Sequence, residues 1–237
     1  MSATANLFEP EVATSEERLE FFSPVPAIFL GDARTERFSE LTQPGAERKS
    51  NWENIVRRYE SRLNAADGAV LHIGAGGGAM MDALRQHGFA VTGCEPEPAG
   101  AERARRAYGF DALVLHCCNA EKFLRWTARI EQKVQAIFFR HDLAHSLELQ
   151  ALLPRMAEIL RNDGLLIALL PPPDSDHSRE AHLSFLNELA VACASCPGNF
   201  EADSVDCDEE NRFMAFVLRK VPAAASQSSS RRTISGA

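Results

Sequence analysis

The stretch Leu71-His72-Ile73-Gly74-Ala75-Gly76-Gly77-Gly78 constrains the fold of this chain more than any other. An apolar run ends in glycines, and a segment with helical spacing follows at once. A strand that turns through glycines straight into a helix brings bare backbone to a point where side chains would block a ligand. The spacing is G-x-G-x-G over Gly74, Gly76 and Gly78, and Ala79 completes G-x-G-x-x-A as well. Tight packing of a helix on a strand would also call for such glycines. The ligand reading gains from Glu95, which closes Val91-Thr92-Gly93-Cys94-Glu95 about 20 positions after the first glycine, where an acid receives ribose hydroxyls. A carboxylate offers two acceptor oxygens in one plane, the complement of two adjacent hydroxyls. A surface glutamate in the turn before Pro96 is the plain alternative.

The rest of the chain alternates. Apolar periodicity predicts strands at 69–73, 90–95, 112–116, 134–140 and 165–170, with helices at 78–87, 98–107, 120–128, 147–161 and 179–195 between and after them. Gly88 and Asn162-Asp163-Gly164 mark helix ends. Two more strands, near 200–206 and 211–219, are close enough to pair antiparallel. This pattern implies an α/β fold: a Rossmann-like, doubly wound, seven-stranded sheet, mostly parallel with an antiparallel C-terminal strand. A helix near 47–64 carries Trp52, Ile55, Val56, Tyr59 and Leu63 on one stripe. The expected organisation is a disordered N-terminus at 1–20, an N-terminal helical or cap segment at 21–66, a core domain at 67–221 and a disordered tail at 222–237. The tail, from Pro222 through Ser228-Ser229-Ser230-Arg231-Arg232, has no apolar periodicity.

A net charge of −8 argues against a general nucleic-acid binder, which needs a basic face. Arg103, Arg105 and Arg106 read as a solvated helix face. No apolar run reaches the roughly 20 residues of a membrane span, and Met1 to Glu20 lacks the basic and apolar regions of a signal peptide. The expected location is cytoplasmic. Six cysteines in 237 residues do not make a disulfide scaffold. His116-Cys117-Cys118 reads as core packing, and Cys193 and Cys196 as two thiols sharing a helix face, so no metal site is expected.

Taken together, Val70 to Gly78, Thr92-Gly93-Cys94-Glu95-Pro96, Cys118-Asn119-Ala120-Glu121 and Met156 to Ala168 make the stretch from Ala69 to Leu170 resemble the class I S-adenosylmethionine-dependent methyltransferases. The antiparallel strand pair at the C-terminus is a hallmark of that family. The resemblance implies that Gly74, Gly76 and Gly78 line the methionine end of S-adenosyl-L-methionine and that Glu95 binds its ribose. It places Asn119 near the adenine and the Ala120 backbone against the ring. His72 stands where many members have an acid, and Asp163 where a glycine is expected. The family fold faces the end of the fourth strand toward the transferred methyl, which here means the loop beginning Arg140-His141-Asp142-Leu143-Ala144-His145. His145 matches the histidine of a Glu-His pair common in small-molecule members, with Ala144 in the glutamate's place. His141 and His145 are the candidate bases, with Asp142 orienting one of them; capping and surface roles before the next helix are the alternative.

The expected function is methyl transfer to a small-molecule acceptor, with Pro24–Leu30, His141–Ser146 and Pro171–His177 as walls of the acceptor pocket. Two other readings stay open. One is a non-catalytic S-adenosylmethionine-binding or scaffold protein of the same fold, and the other is an NAD(P)-dependent oxidoreductase.

Overall fold

A computed structural model describes residues 46–130, 133–140, 149–170, 176–196, 200–208 and 213–222. The expectations for residues 1–45, for the tail beyond 222, and for His141 and His145 lie outside the described residues. The strands are β1 (Val70–Ile73), β2 (Val91–Cys94), β3 (Leu115–His116), β4 (Val134–Arg140), β5 (Leu160–Leu170), β6 (Phe200–Asp208) and β7 (Phe213–Lys220). The helices are α1 (Ala46–Glu60), α2 (Ala79–Gln86), α3 (Pro98–Tyr108), α4 (Ala120–Ala128), α5 (Leu149–Ile159) and α6 (Asp176–Ser195). One seven-stranded sheet runs in the order β3-β2-β1-β4-β5-β7-β6. β1 to β5 are mutually parallel, and β7 runs against β5 on one side and β6 on the other. The expected fold class is the observed one.

Alternation along the strands sorts the apolar residues into two cores, one on each face. Leu71, Ile73, Ile137, Phe139, Leu166 and Ala168 face α4, α5 and α6, where Phe123, Leu153 and Phe185 meet them. Val70, Ala136, Phe138, Leu165, Ile167 and Val217 face α1, α2 and α3. α1 belongs to this second core through Ile55, Val56 and Tyr59. The Tyr59 ring stands edge-on to Phe138 at 5.9 Å, and its hydroxyl donates to Asp206 Oδ2 at 2.7 Å. Burial and the Asp206 carboxylate both push that phenol above its ordinary range.

Two elements differ from the sequence expectation for visible reasons. β3 begins at Leu115 rather than 112 because Asp111 Oδ1 accepts from the backbone N–H groups of Leu113 and Val114, both at 2.8 Å, and folds that stretch into a turn. β5 begins at Leu160, directly after α5. Leu160 pairs with Val134 and Leu165 with Ala136, so residues 161–164 bulge out of the ladder. Asp163, where a glycine was expected, takes a left-handed φ of 61° inside this bulge, a conformation Asp tolerates better than most side chains. Lys220 closes the same corner by donating to the carbonyls of Ala157 and Leu160, both at 2.6 Å, at the negative end of α5.

Candidate active site

Strand order reverses between β1 and β4, since β1 continues to β2 and β3 on one side and β4 continues to β5 on the other. The carboxyl end of such a switch point is where open α/β sheets bind ligands. Gly74 to Gly78 sit there. The backbone N–H groups of Gly74 and Ala75 both donate to Cys94 O at 2.9 Å, which ties the turn to the end of β2. Gly74, Gly76 and Gly78 have φ of 77°, 53° and 81°, so all three occupy the left-handed region that glycine enters at little cost.

Gly78 has a second reason to be glycine. A Cβ there would stand 2.8 Å from Ala104 Cβ and 2.9 Å from Phe110 Cε2. It is the packing glycine, over which α3 and the Phe110 ring close. Arg85 holds that ring from the other side, its guanidinium 4.9 Å from the centroid. Gly93 serves packing as well: a Cβ there would lie 2.6 Å from His72 O and 2.9 Å from Met81 Sδ.

Glu95 is drawn into the turn. Its backbone N–H donates to His116 O at 2.9 Å and extends the β2–β3 ladder by one rung. Its carboxylate accepts from Gly76 N through Oε2 at 2.6 Å and from Glu97 N through Oε1 at 3.0 Å. The residue is only 6% exposed. Glu95 is thus a bridge between the glycine turn and the start of α3, not a surface glutamate. Both carboxylate oxygens of Glu95 are thus engaged with backbone at this crevice.

Asn119 and Ala120 lie at the same sheet edge, at the start of α4. Asn119 is the N-cap: its Oδ1 accepts from Lys122 N at 2.9 Å, and the residue is exposed. Ala120 is buried. The structure therefore brings Gly76 and Glu95 into direct contact, keeps Gly74 and Gly78 in the same turn, and sets Asn119 and Ala120 on the same edge. His72 is buried under the turn on β1, on the face of Val70.

Two thiols are buried in the core next to β2 and β3. The Cys94 and Cys118 thiols are buried and hydrogen-bonded to one another, and burial pushes the Cys94 thiol well up. Cys117 is half-buried beside them, its thiol raised by burial and held down in part by Arg105. The Cys94 thiol is not a nucleophile at neutral pH in such surroundings. His116 packs against Trp126 at 4.6 Å and Phe123 at 5.4 Å between ring centroids. Burial pushes it down to about 4, against the opposing pull of the Leu113 backbone. This is the core role expected of it. Among the described residues no cluster of three or more His, Cys, Asp or Glu could hold a metal ion, and no helix is long and apolar enough to cross a membrane.

Sequence reasoning did not single out Gly100 or the Glu97 backbone. The signal for the first was present: a glycine in the first turn of a helix costs stability relative to alanine, and such a residue usually marks a close approach.

Residues 71–168 match the sequence profile described as a methyltransferase domain. A comparison with curated proteins found no match. Several solved structures share the fold. The mitomycin 7-O-methyltransferase is 16% identical with a TM-score of 0.52, the alignment covering 78% of this chain and 60% of that one. The magnesium protoporphyrin IX methyltransferase from Synechocystis PCC 6803, solved with bound SAH, is 12% identical with a TM-score of 0.54, covering 78% of this chain and 94% of that one. A SAM-dependent methyltransferase from Archaeoglobus fulgidus is 14% identical with a TM-score of 0.54, covering 79% of this chain and all of that one. At these identities the likeness is one of fold.

Proposed function

We propose that the class I methyltransferase domain this chain carries over residues 71–168 binds S-adenosyl-L-methionine across the carboxyl ends of β1 and β2, and that the protein transfers the methyl group to a small-molecule acceptor. The observation that carries the reading is the place of β7. It enters antiparallel between β5 and β6, whereas a dinucleotide-binding sheet keeps the order 3-2-1-4-5-6. That position weighs against a nicotinamide-dependent oxidoreductase.

The residues at the crevice fit such a cofactor. The glycine turn presents bare backbone for the methionine portion, and no phosphate has to be held. Glu95 is oriented by two backbone donors, and its carboxylate is the proposed acceptor for the ribose diol. Asn119 and Ala120, at the start of α4, are the proposed adenine edge. The bound cofactor supplies an electrophilic methyl on a sulfonium. The chain's part is to orient the acceptor in line with it and, where the acceptor carries a proton, to remove that proton. His141 and His145, in the segment that follows β4, are the proposed bases. Support for a small acceptor comes from neighbours of the same fold that methylate a mitomycin and a magnesium porphyrin.

A second reading, binding without turnover, has two departures in its favour: His72, buried on β1, stands where an acid is common in the family, and Ala144 stands in the place of a glutamate before His145. Calorimetric titration with S-adenosylhomocysteine and S-adenosylmethionine tests the cofactor reading. Binding that Glu95→Ala weakens by at least tenfold is expected, consistent with loss of charge-assisted hydrogen bonds. No heat at millimolar ligand, with parent and variant alike, would remove it. Transfer of label from the methyl group to any small acceptor excludes the binding-only reading.

A further inference from the structure

We propose that Gly100 is a positioning residue for the cofactor site, kept without a side chain so that Glu95 can lie between the glycine turn and the first turn of α3. The inference rests on the reading of this crevice as the cofactor site. Gly100 is the third residue of α3 and is buried. It does not take a positive φ, so backbone freedom is not what requires glycine there. Space is. A Cβ built on it would lie 3.2 Å from Glu95 Cγ and 3.4 Å from both Cδ and Oε1.

Glu95 has little room to yield to that methyl. Cγ is the atom it would press, and the carboxylate beyond it is held at both oxygens: Oε1 accepts from Glu97 N at 3.0 Å and Oε2 from Gly76 N at 2.6 Å. A shift of a few tenths of an ångström lengthens one of these bonds or turns the carboxylate out of the plane it offers to a diol. The Gly76 bond is the one that fixes the glycine turn from outside the β1–β2 ladder. Gly100 therefore acts through Glu95 on two things: the aim of the carboxylate and the rigidity of the turn. Gly100 need touch no part of the cofactor for this.

The test is a double-mutant cycle of Gly100→Ala and Glu95→Ala, read in three ways: melting temperature, S-adenosylhomocysteine affinity, and NMR-detected amide exchange of Gly76 in the ligand-free protein. Alanine is the better helix former, so G100A alone holds or raises the melting temperature. The proposal expects its affinity to fall on the order of three- to tenfold, and Gly76 to exchange faster by a similar factor, the effect of weakening one charge-assisted hydrogen bond. In the E95A background, G100A changes neither reading. Parent-like affinity and exchange in G100A overturn the proposal. So does an affinity loss that persists unchanged in the E95A background, because it would not run through Glu95. Should the parent fail to bind S-adenosylhomocysteine, the cofactor reading falls and with it the role proposed for Gly100 in binding. The exchange cycle still decides whether Gly100 holds the turn through Glu95.

Discussion

Replacing His116 by leucine should make the protein less sensitive to acid. The His116 ring is 1% exposed, between Phe123 and Trp126, and burial takes its pKa from an ordinary 6.5 down to about 4. Between those values the unfolded chain binds a proton that the folded chain refuses. Stability therefore falls as pH drops through that window and is unaffected by this group above about 6.5. The full difference is worth about 3 kcal/mol, of which about 2.5 kcal/mol is lost by pH 4.5. In a protein of this size that is roughly a 5–10 °C fall in melting temperature beyond whatever the other groups contribute. Leucine fills a similar volume and does not titrate. H116L should differ from the parent by a constant at about pH 7.5, and that difference should shift in the variant's favour by about 2.5 kcal/mol at about pH 4.5. Urea denaturation of both proteins at a series of pH values measures it. Every other titrating group is present in both proteins and cancels. Parallel stability curves for parent and H116L, or a folded-state NMR titration of the ring near 6.5, would refute the argument.

Two further changes test the packing of the site and of its support. Gly78→Ala places a Cβ at contacts of 2.8 and 2.9 Å in a left-handed backbone, and should cost about 2–4 kcal/mol, read as a lower urea midpoint with an unchanged slope. Lys220→Met removes the two donors that close the end of α5, and should cost about 1–3 kcal/mol, read as a lower melting temperature with Glu95-dependent ligand affinity unchanged.

The sheet could be read from the sequence because every strand that builds it is set by alternation or by a continuous apolar run. Leu71 and Ile73 fall to one core and Val70 to the other, and Ile137, Phe138 and Phe139 supply both faces of the central strand in three successive residues. What escaped was local. Asp111 turns 112–114 out of β3 by side-chain hydrogen bonds that no hydrophobic period records. Asp163 holds a left-handed bulge that a helix-turn-strand reading places outside the ladder. The site was readable as a position and less so as a set of contacts. The glycines and Glu95 are found together, but the short bond from Gly76 to Glu95 and the approach of Gly100 exist only once α3 is docked.

That difference changes what the glycine motif means. The glycines of one sequence pattern answer to different causes: Gly78 to the packing of α3 and Phe110, and Gly76 to a backbone N–H that must point at a carboxylate. Gly100, outside the pattern, is a packing glycine of another kind, because what it makes room for is Glu95. It follows that Glu95 is needed by the fold whether or not a ligand is bound. Removing its carboxylate leaves the Gly76 and Glu97 N–H groups without that acceptor even when no cofactor is present, at a cost of about 1–3 kcal/mol. A protein of this fold that had given up catalysis would keep Glu95 for that reason alone. The presence of the glycine turn and its acid therefore does not by itself mark an enzyme, and methyl transfer to an acceptor is the measurement that separates enzyme from binding protein.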